Sequence, residues 1–274
     1  MAGVSCKIDW GAKGPSNYHT HTRWCDGSCS AREMVEAALA AGFKELGFSS
    51  HAMFPLSLDG YLSPERAADY AREIGSLKAE FADRISIRLG VEADFVKGVA
   101  SPDRAVYAGM GVEYVIGSIH FVMPPGAVAL EDAVAVDMSP ENLREGIDRA
   151  YGGDVRSYVH DYFAQEREMA LNCDFDIVGH PDLVRKFNGR MKLFDEDADW
   201  YLGEIEATAD AIARSGRIAE VNTGAISRGW MSDAYPSSLF RELLKSRGVR
   251  MILSSDAHAA GAIDCAFDRF KGAV

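Results

Sequence analysis

Two histidines, His19 and His21, stand one residue apart in the run Asn17-Tyr-His-Thr-His-Thr-Arg-Trp-Cys-Asp26-Gly27. On an extended strand alternate side chains share one side, so both imidazoles can reach a single ion. Asp26 opens an Asp-Gly turn signal, which puts a carboxylate on the loop just past that strand, within reach of a second ion. The same residue types recur along the chain as His51, Glu92, His120 and His180, and then as a second period-two pair, Asp256 and His258. Imidazole and carboxylate donors suit zinc, manganese or iron, whereas an all-oxygen set would indicate magnesium or calcium. A single ion takes about four protein ligands, so this inventory points to two or three ions, with Glu92 the natural bridge.

The elements that must position these residues follow one rhythm. Short apolar runs alternate with helical patterns from end to end, as in successive βα units. Strands are expected near 16–21, 43–50, 85–91, 114–119, 176–179, 217–221 and 249–254. Helices are expected over 31–41, from the capping box Ser30-Ala-Arg-Glu33, and over 64–83, from Ser63-Pro-Glu65. Further helices are expected from Pro140 to Ala170 with a break at Gly152-Gly153, over 197–213 and over 236–246. The long stretch around Pro124-Pro125-Gly126 reads as a loop, and loops of that length are often functional. The ligand candidates, together with Asn222, fall at or just after the strand ends, which is the face where parallel α/β folds build their sites. Seven such units suggest a closed or distorted barrel, with an open doubly wound sheet as the alternative.

At 274 residues and 47% hydrophobic content the chain can bury a large core, and a single domain over 1–274 is expected. A net charge of −12 argues against a nucleic-acid surface but leaves room for a small phosphorylated substrate, since ions and arginines can reverse the potential locally. The first residues lack the apolar centre of a signal peptide, and no run of about eighteen apolar residues occurs, so a cytoplasmic protein without a membrane span is expected. The five cysteines (Cys6, Cys25, Cys29, Cys173, Cys265) contain no Cys-x-x-Cys pair and read as reduced thiols.

Plainer readings exist for several of these residues. A lone histidine after a strand, such as His51, can be a hydrogen-bonding residue, but six at equivalent positions argue for ligands. Glu92 could pair with Arg88 or Lys97, although alternation sets Glu92 and Asp94 on one side of the strand. His160 lies within a helix, in Tyr158-Val-His-Asp-Tyr162, and fits packing or substrate contact as well as ligation. Arg185 and Arg228 follow ring strands closely and carry the planar fork suited to phosphate oxygens; a solvated loop cation is the alternative for each.

These motifs are similar to those of a known family. The chain resembles the polymerase-and-histidinol-phosphatase (PHP) family of metal-dependent phosphoesterases through His19-x-His21, Asp26, His51, Gly90-x-Glu92, Ser118-x-His120, Gly179-His180 and Ser255-Asp256-x-His258. Within the family it is most similar to the histidinol-phosphate phosphatases, through Gly179-His-Pro-Asp-Leu-Val-Arg185-Lys-Phe187, Glu220-Val-Asn-Thr-Gly224 and Tyr235-Pro-Ser237. The resemblance implies a distorted (βα)7 TIM-like barrel with three divalent ions. His19, His21, Glu92 and Asp256 would bind the first, Glu92, His120 and His180 the second, and Asp26, His51 and His258 the third. It also implies hydrolysis of L-histidinol phosphate in histidine biosynthesis, with a metal-bridging hydroxide as nucleophile and Asp256 or His258 protonating the departing alkoxide. Other small phosphate esters, such as nucleotides or sugar phosphates, are the alternative substrates, and a metal-binding regulatory protein without catalysis is the alternative class.

Overall fold

The structure, a computed structural model, describes residues 8–55 and 58–274. Cys6 and the N-terminal residues read for a leader lie outside the described residues. The chain begins with β1 (Ser16–Asn17), α1 (Ala31–Ala40), β2 (Glu45–Phe48), α2 (Pro64–Glu80), β3 (Ser86–Asp94) and β4 (Tyr114–Ser118). Ser30 caps α1 reciprocally with Glu33, as its capping box requires, and Gly42 at φ 81° turns the chain out of that helix. A small antiparallel hairpin follows, β5 (Phe121–Val122) with β6 (Val134–Ala135). The Pro124-Pro125-Gly126 stretch is a loop, as expected, and it connects the two strands of this hairpin, which the sequence did not signal.

Two helices come next, α3 (Pro140–Tyr151) and α4 (Val155–Asn172). They divide at Gly152-Gly153 because both glycines hold positive φ and Asp154 starts the second helix by accepting from the Ser157 amide. The remainder runs β7 (Ile177–Val178), α5 (Asn188–Met191), α6 (Asp199–Ser215), β8 (Ile218–Asn222), α7 (Gly224–Ser227), α8 (Ser238–Ser246), β9 (Met251–Ser254) and α9 (Phe267–Phe270).

Seven strands form one parallel sheet in the order β1-β2-β3-β4-β7-β8-β9. Sequence order is kept around the sheet, with the helices packed outside. The two ends of the order then meet. Thr20 forms a parallel bridge with Ala257, the His21 amide donates to the Ala257 carbonyl at 2.9 Å, and Asn17 Nδ2 donates to Ser255 Oγ at 2.6 Å. This makes a nearly closed barrel and excludes the open doubly wound sheet. Strands β2 and β4 are buried on both faces, so neither shows an apolar-polar alternation, and the one charge, Glu45 of β2, is buried with them. Inside the barrel Tyr18, Tyr114, Ile116, Ile177 and Ile252 pack together, while the larger core lies between the sheet and the helices.

Candidate metal centre

All nine predicted ligands come together at the mouth where the strands end. His19 and His21 lie just past β1, and their Nε2 atoms are 3.1 Å apart, as period-two geometry demands. Glu92 comes from β3 and stands at the centre: its Oε2 is 3.2 Å from His19 Nε2, 3.4 Å from His21 Nε2 and 3.2 Å from His51 Nδ1. Its Oε1 is 2.8 Å from His180 Nε2 and 3.5 Å from His120 Nε2. Asp256 Oδ1 lies 3.3 Å from His21 Nε2, and Asp26 Oδ2 lies 3.1 Å from His258 Nε2 and 3.6 Å from His51 Nε2.

Four overlapping sets of ligand atoms result: His21-Asp26-His51-His258, His19-His21-Asp256, His19-Glu92-His180 and His51-Glu92-His120. His120 and His180 both approach the same oxygen of Glu92, Oε1, from rings whose centroids are 5.0 Å apart. Glu92 meets neither Arg88, which pairs with Glu113 and Glu45, nor Lys97, which pairs with Glu168. His160 sits on α4, half-exposed, with its Nδ1 2.6 Å from Glu204, away from this cluster.

The donor set fits metal cations for a specific reason. His19 Nδ1 is 3.0 Å from both oxygens of buried Glu220, so that nitrogen carries the proton and Nε2 presents a lone pair. His120 Nδ1 is likewise held by Asp94, at 2.5 Å, and its Nε2 turns to Glu92. Lone pairs of imidazoles and carboxylates therefore face one another inside a largely buried cluster, where acceptors without donors are costly. A cation between them removes that cost. Without ions, protonated rings would have to supply that positive charge: burial by itself would raise the Glu92 pKa, but cationic His19, His120 and His51 hold the carboxyl well below the usual range. Asp256 is likewise held low despite burial, by Arg228 and His19.

Backbone strain marks two of these positions. His180 has φ 25° and Asp256 has φ 49°, left-handed values that non-glycine residues seldom adopt. Each strand therefore stops short of its ligand. The Asp256-His258 pair is consequently not the simple extended repeat of His19-His21, though His258 Nδ1 still comes within 3.5 Å of Asp256 Oδ1. The His180 turn is pinned from behind by its own amide, which donates to Glu220 Oε1 at 2.6 Å. Gly179 is required there, since a Cβ would lie 2.3 Å from Ser118 Oγ, the hydroxyl that donates to Glu92.

The cluster floors a cleft of about 560 Å³ whose walls include Leu58, Tyr61, Phe121, Met138, Lys186 and Arg228. Arg228 follows α7 and donates to Asp256 Oδ2 at 2.9 Å and to the Asp256 carbonyl at 3.1 Å. Glycine at 224 leaves it room: a Cβ there would lie 2.7 Å from Arg228 Nη2. The expectation for Arg185 is corrected. Its Nε donates to Glu196 at 2.6 Å and its Nη1 lies 3.4 Å from Asp182, so the tight turn after His180 aims this guanidinium into a buried ion-pair network. The next residue, Lys186, reaches the cleft instead. Asn222, the other polar residue expected at a strand end, supports the site from behind: its amide serves Glu220 and the Gly224 backbone. Sequence reasoning missed the orienting roles of Asp94 and Glu220. Period-two spacing from Glu92 was a signal for the first, and the buried acid two residues before Asn222 for the second.

Comparison with known proteins agrees with this picture. The PHP domain family profile matches residues 17–224. A Deinococcus radiodurans protein named "Probable histidinol-phosphatase" is 32% identical over 255 residues, covering 91% of this chain and 88% of its own. A Listeria monocytogenes structure named as a candidate histidinol phosphatase superposes with a TM-score of 0.80 at 19% identity, over 93% of this chain and 99% of that one. The Lactococcus lactis histidinol phosphate phosphatase, solved with zinc, L-histidinol and phosphate, superposes with a TM-score of 0.65 at 20% identity, over 94% and 93%. On the strength of the profile match and the Deinococcus relative, this chain belongs to the PHP domain family.

Proposed function

We propose that this protein hydrolyses L-histidinol phosphate to L-histidinol and inorganic phosphate, as a step of histidine biosynthesis carried out in the cytoplasm by one barrel domain over 1–274. The observation that carries the reading is the convergence of imidazole and carboxylate lone pairs on Glu92, at the floor of a cleft that also holds Arg228 and Lys186. The names of the similar proteins supply the substrate. His19, His21, Asp26, His51, Glu92, His120, His180, Asp256 and His258 would hold three divalent ions of the zinc, manganese or iron type. Such ions supply Lewis-acid polarisation of phosphoryl oxygens and acidify a water, the chemistry of an in-line displacement.

The chain's own groups do the rest. Glu220 and Asp94 keep His19 and His120 in the tautomers that offer Nε2 to the site. Arg228, fixed on Asp256, offers its fork to a phosphoryl oxygen. We assign protonation of the departing alkoxide to the Asp256-His258 pair, whose side chains lie together at the cleft edge.

A phosphate-release panel tests the substrate. Histidinol phosphate should exceed nucleoside monophosphates and sugar phosphates by about a hundredfold or more in kcat/KM, the discrimination expected when a cleft reads polar groups of its substrate. Equal or faster turnover of a nucleotide or sugar phosphate would transfer the assignment to that ester.

A further inference from the structure

Two acids in the cleft have no place in the ion cluster, Asp59, which is exposed at the rim, and Asp137. Asp137 lines the same cleft as the ligands but belongs to none of the four ligand sets. It is placed firmly. The preceding residue, Val136, is buried and donates its amide to the His120 carbonyl at 2.9 Å, so the hairpin of β5 and β6 delivers Asp137 beside a ligand histidine. Its partner is Lys186, whose Nζ donates to Asp137 Oδ2 at 2.8 Å and to the Asp137 carbonyl at 2.9 Å. That lysine is almost wholly buried, and with Arg228 it makes up the cationic part of the cleft wall.

The pair thus presents one positive and one negative group, side by side, at the edge of a site for phosphate. A plain phosphate ester has a use for the cation alone. An anion standing beside a phosphate site works against a dianionic ligand unless the ligand carries a positive charge there. We propose that Asp137 is a specificity-determining residue that binds the protonated amine of the substrate, so that this cleft selects phosphate esters of vicinal amino alcohols. In this arrangement Lys186 turns to a phosphoryl oxygen, and Asp137 exchanges the lysine ammonium for the substrate ammonium. One ion pair becomes two, and neither charge is left buried alone. The inference rests on the histidinol-phosphate reading and deepens it, because histidinol phosphate carries its amine on the carbon next to the ester-bearing one.

The test compares two esters, histidinol phosphate and its deaminated analogue, 3-(imidazol-4-yl)propyl phosphate, in the metal-loaded wild type and in Asp137→Asn. Asparagine retains the backbone carbonyl that holds Lys186 and a side-chain oxygen of similar size. The substitution should lower kcat/KM for histidinol phosphate about tenfold or more, mainly through KM. It should leave the analogue unchanged or improve it, since a like charge near the phosphate has gone. Metal content and Tm, measured alongside, should match wild type; a loss of either would make Asp137 a structural residue and overturn the inference. An equal fall on both esters would make Asp137 a mere support for Lys186, and an unchanged preference would remove it from substrate recognition. Those results would leave the phosphatase assignment standing. A wild-type enzyme that fails to hydrolyse histidinol phosphate would overturn both.

Discussion

At the end of the barrel where the strands begin, the acids Glu45 and Glu113 are matched by donors within the protein, whereas at the mouth the acids face imidazoles. Glu45 accepts from the Tyr18 hydroxyl at 2.7 Å and faces Arg88, and Glu113 accepts from Lys78, from Arg88 and from the Leu89 amide. Each acid there meets donors or cations. At the mouth Glu92 meets four histidine rings within 3.5 Å and a fifth, His120, at that limit, while His51 Nδ1 and His180 Nδ1 are buried without a hydrogen-bond partner. In the first arrangement every acid is paired as folded, with only Arg88 Nε left without a partner, and it holds the barrel together. The second is complete only with ions, and its residues are held there against strain at His180 and Asp256.

The largest effect that this contrast predicts is at His180. His180→Ala should lose metal and depress kcat/KM on the order of a thousandfold or more, as expected when a pre-organised electrostatic site loses a ligand. His160→Ala, altering a half-exposed ring paired with Glu204, should keep its metal and activity. The reverse pattern, read by elemental analysis and phosphate release, would break the contrast outright. Next in size is Arg228→Ala, expected to cost about 2–4 kcal/mol in kcat/KM with metal content unchanged, as for one charge-assisted contact in a water-poor site. Lysine there should rescue only in part, because a point charge cannot replace the fork.

At the opposite end the readout changes. Arg88→Met removes a cation from Glu45 and Glu113, and should lower stability by about 1–3 kcal/mol in denaturant titration with kcat/KM unchanged. Lost activity with unaltered stability would mean that the base of the barrel is not merely structural.

The smallest effect is a difference in slope. In ion-free protein burial lowers the His120 pKa, but Asp94 and Glu92 outweigh it and raise the value to about 10. The folded pKa then exceeds the unfolded value of about 6.5, so the stabilisation is complete below that pH and is lost as pH rises toward about 10. Ion binding requires the neutral ring, so loaded protein should instead hold or gain stability over the same rise. Thermal melts of both forms across that window should diverge, and parallel curves would remove His120 from the ion cluster.

Much of this site could be read before the fold was known, because its ligands come one by one from strand ends and the chain signals each end locally. His19-x-His21, Glu92 and His180 needed only the period of a strand and the place where it stops. The seven parallel strands, the capping box of α1 and the division of α3 from α4 at Gly152-Gly153 were legible from equally local signals. The hairpin β5–β6 was not, since two residues per strand leave no periodic pattern, and the prolines suggest a loop. Arg185 and Lys186 differ by one position, and only the tight turn after His180 determines which of them faces the cleft. The Asp137-Lys186 pair joins segments 49 residues apart, a contact that spacing along the chain does not encode.

The central claim is that the mouth of this barrel is a three-ion hydrolytic centre. Protein stripped by chelation and then titrated with zinc, manganese or iron should be measured for bound ions and for phosphate release from histidinol phosphate in the same samples. The account predicts no activity in the stripped protein, activity that returns as loading proceeds, and a plateau at about three ions per chain. Full activity in the stripped protein, or saturation at one ion, would contradict it.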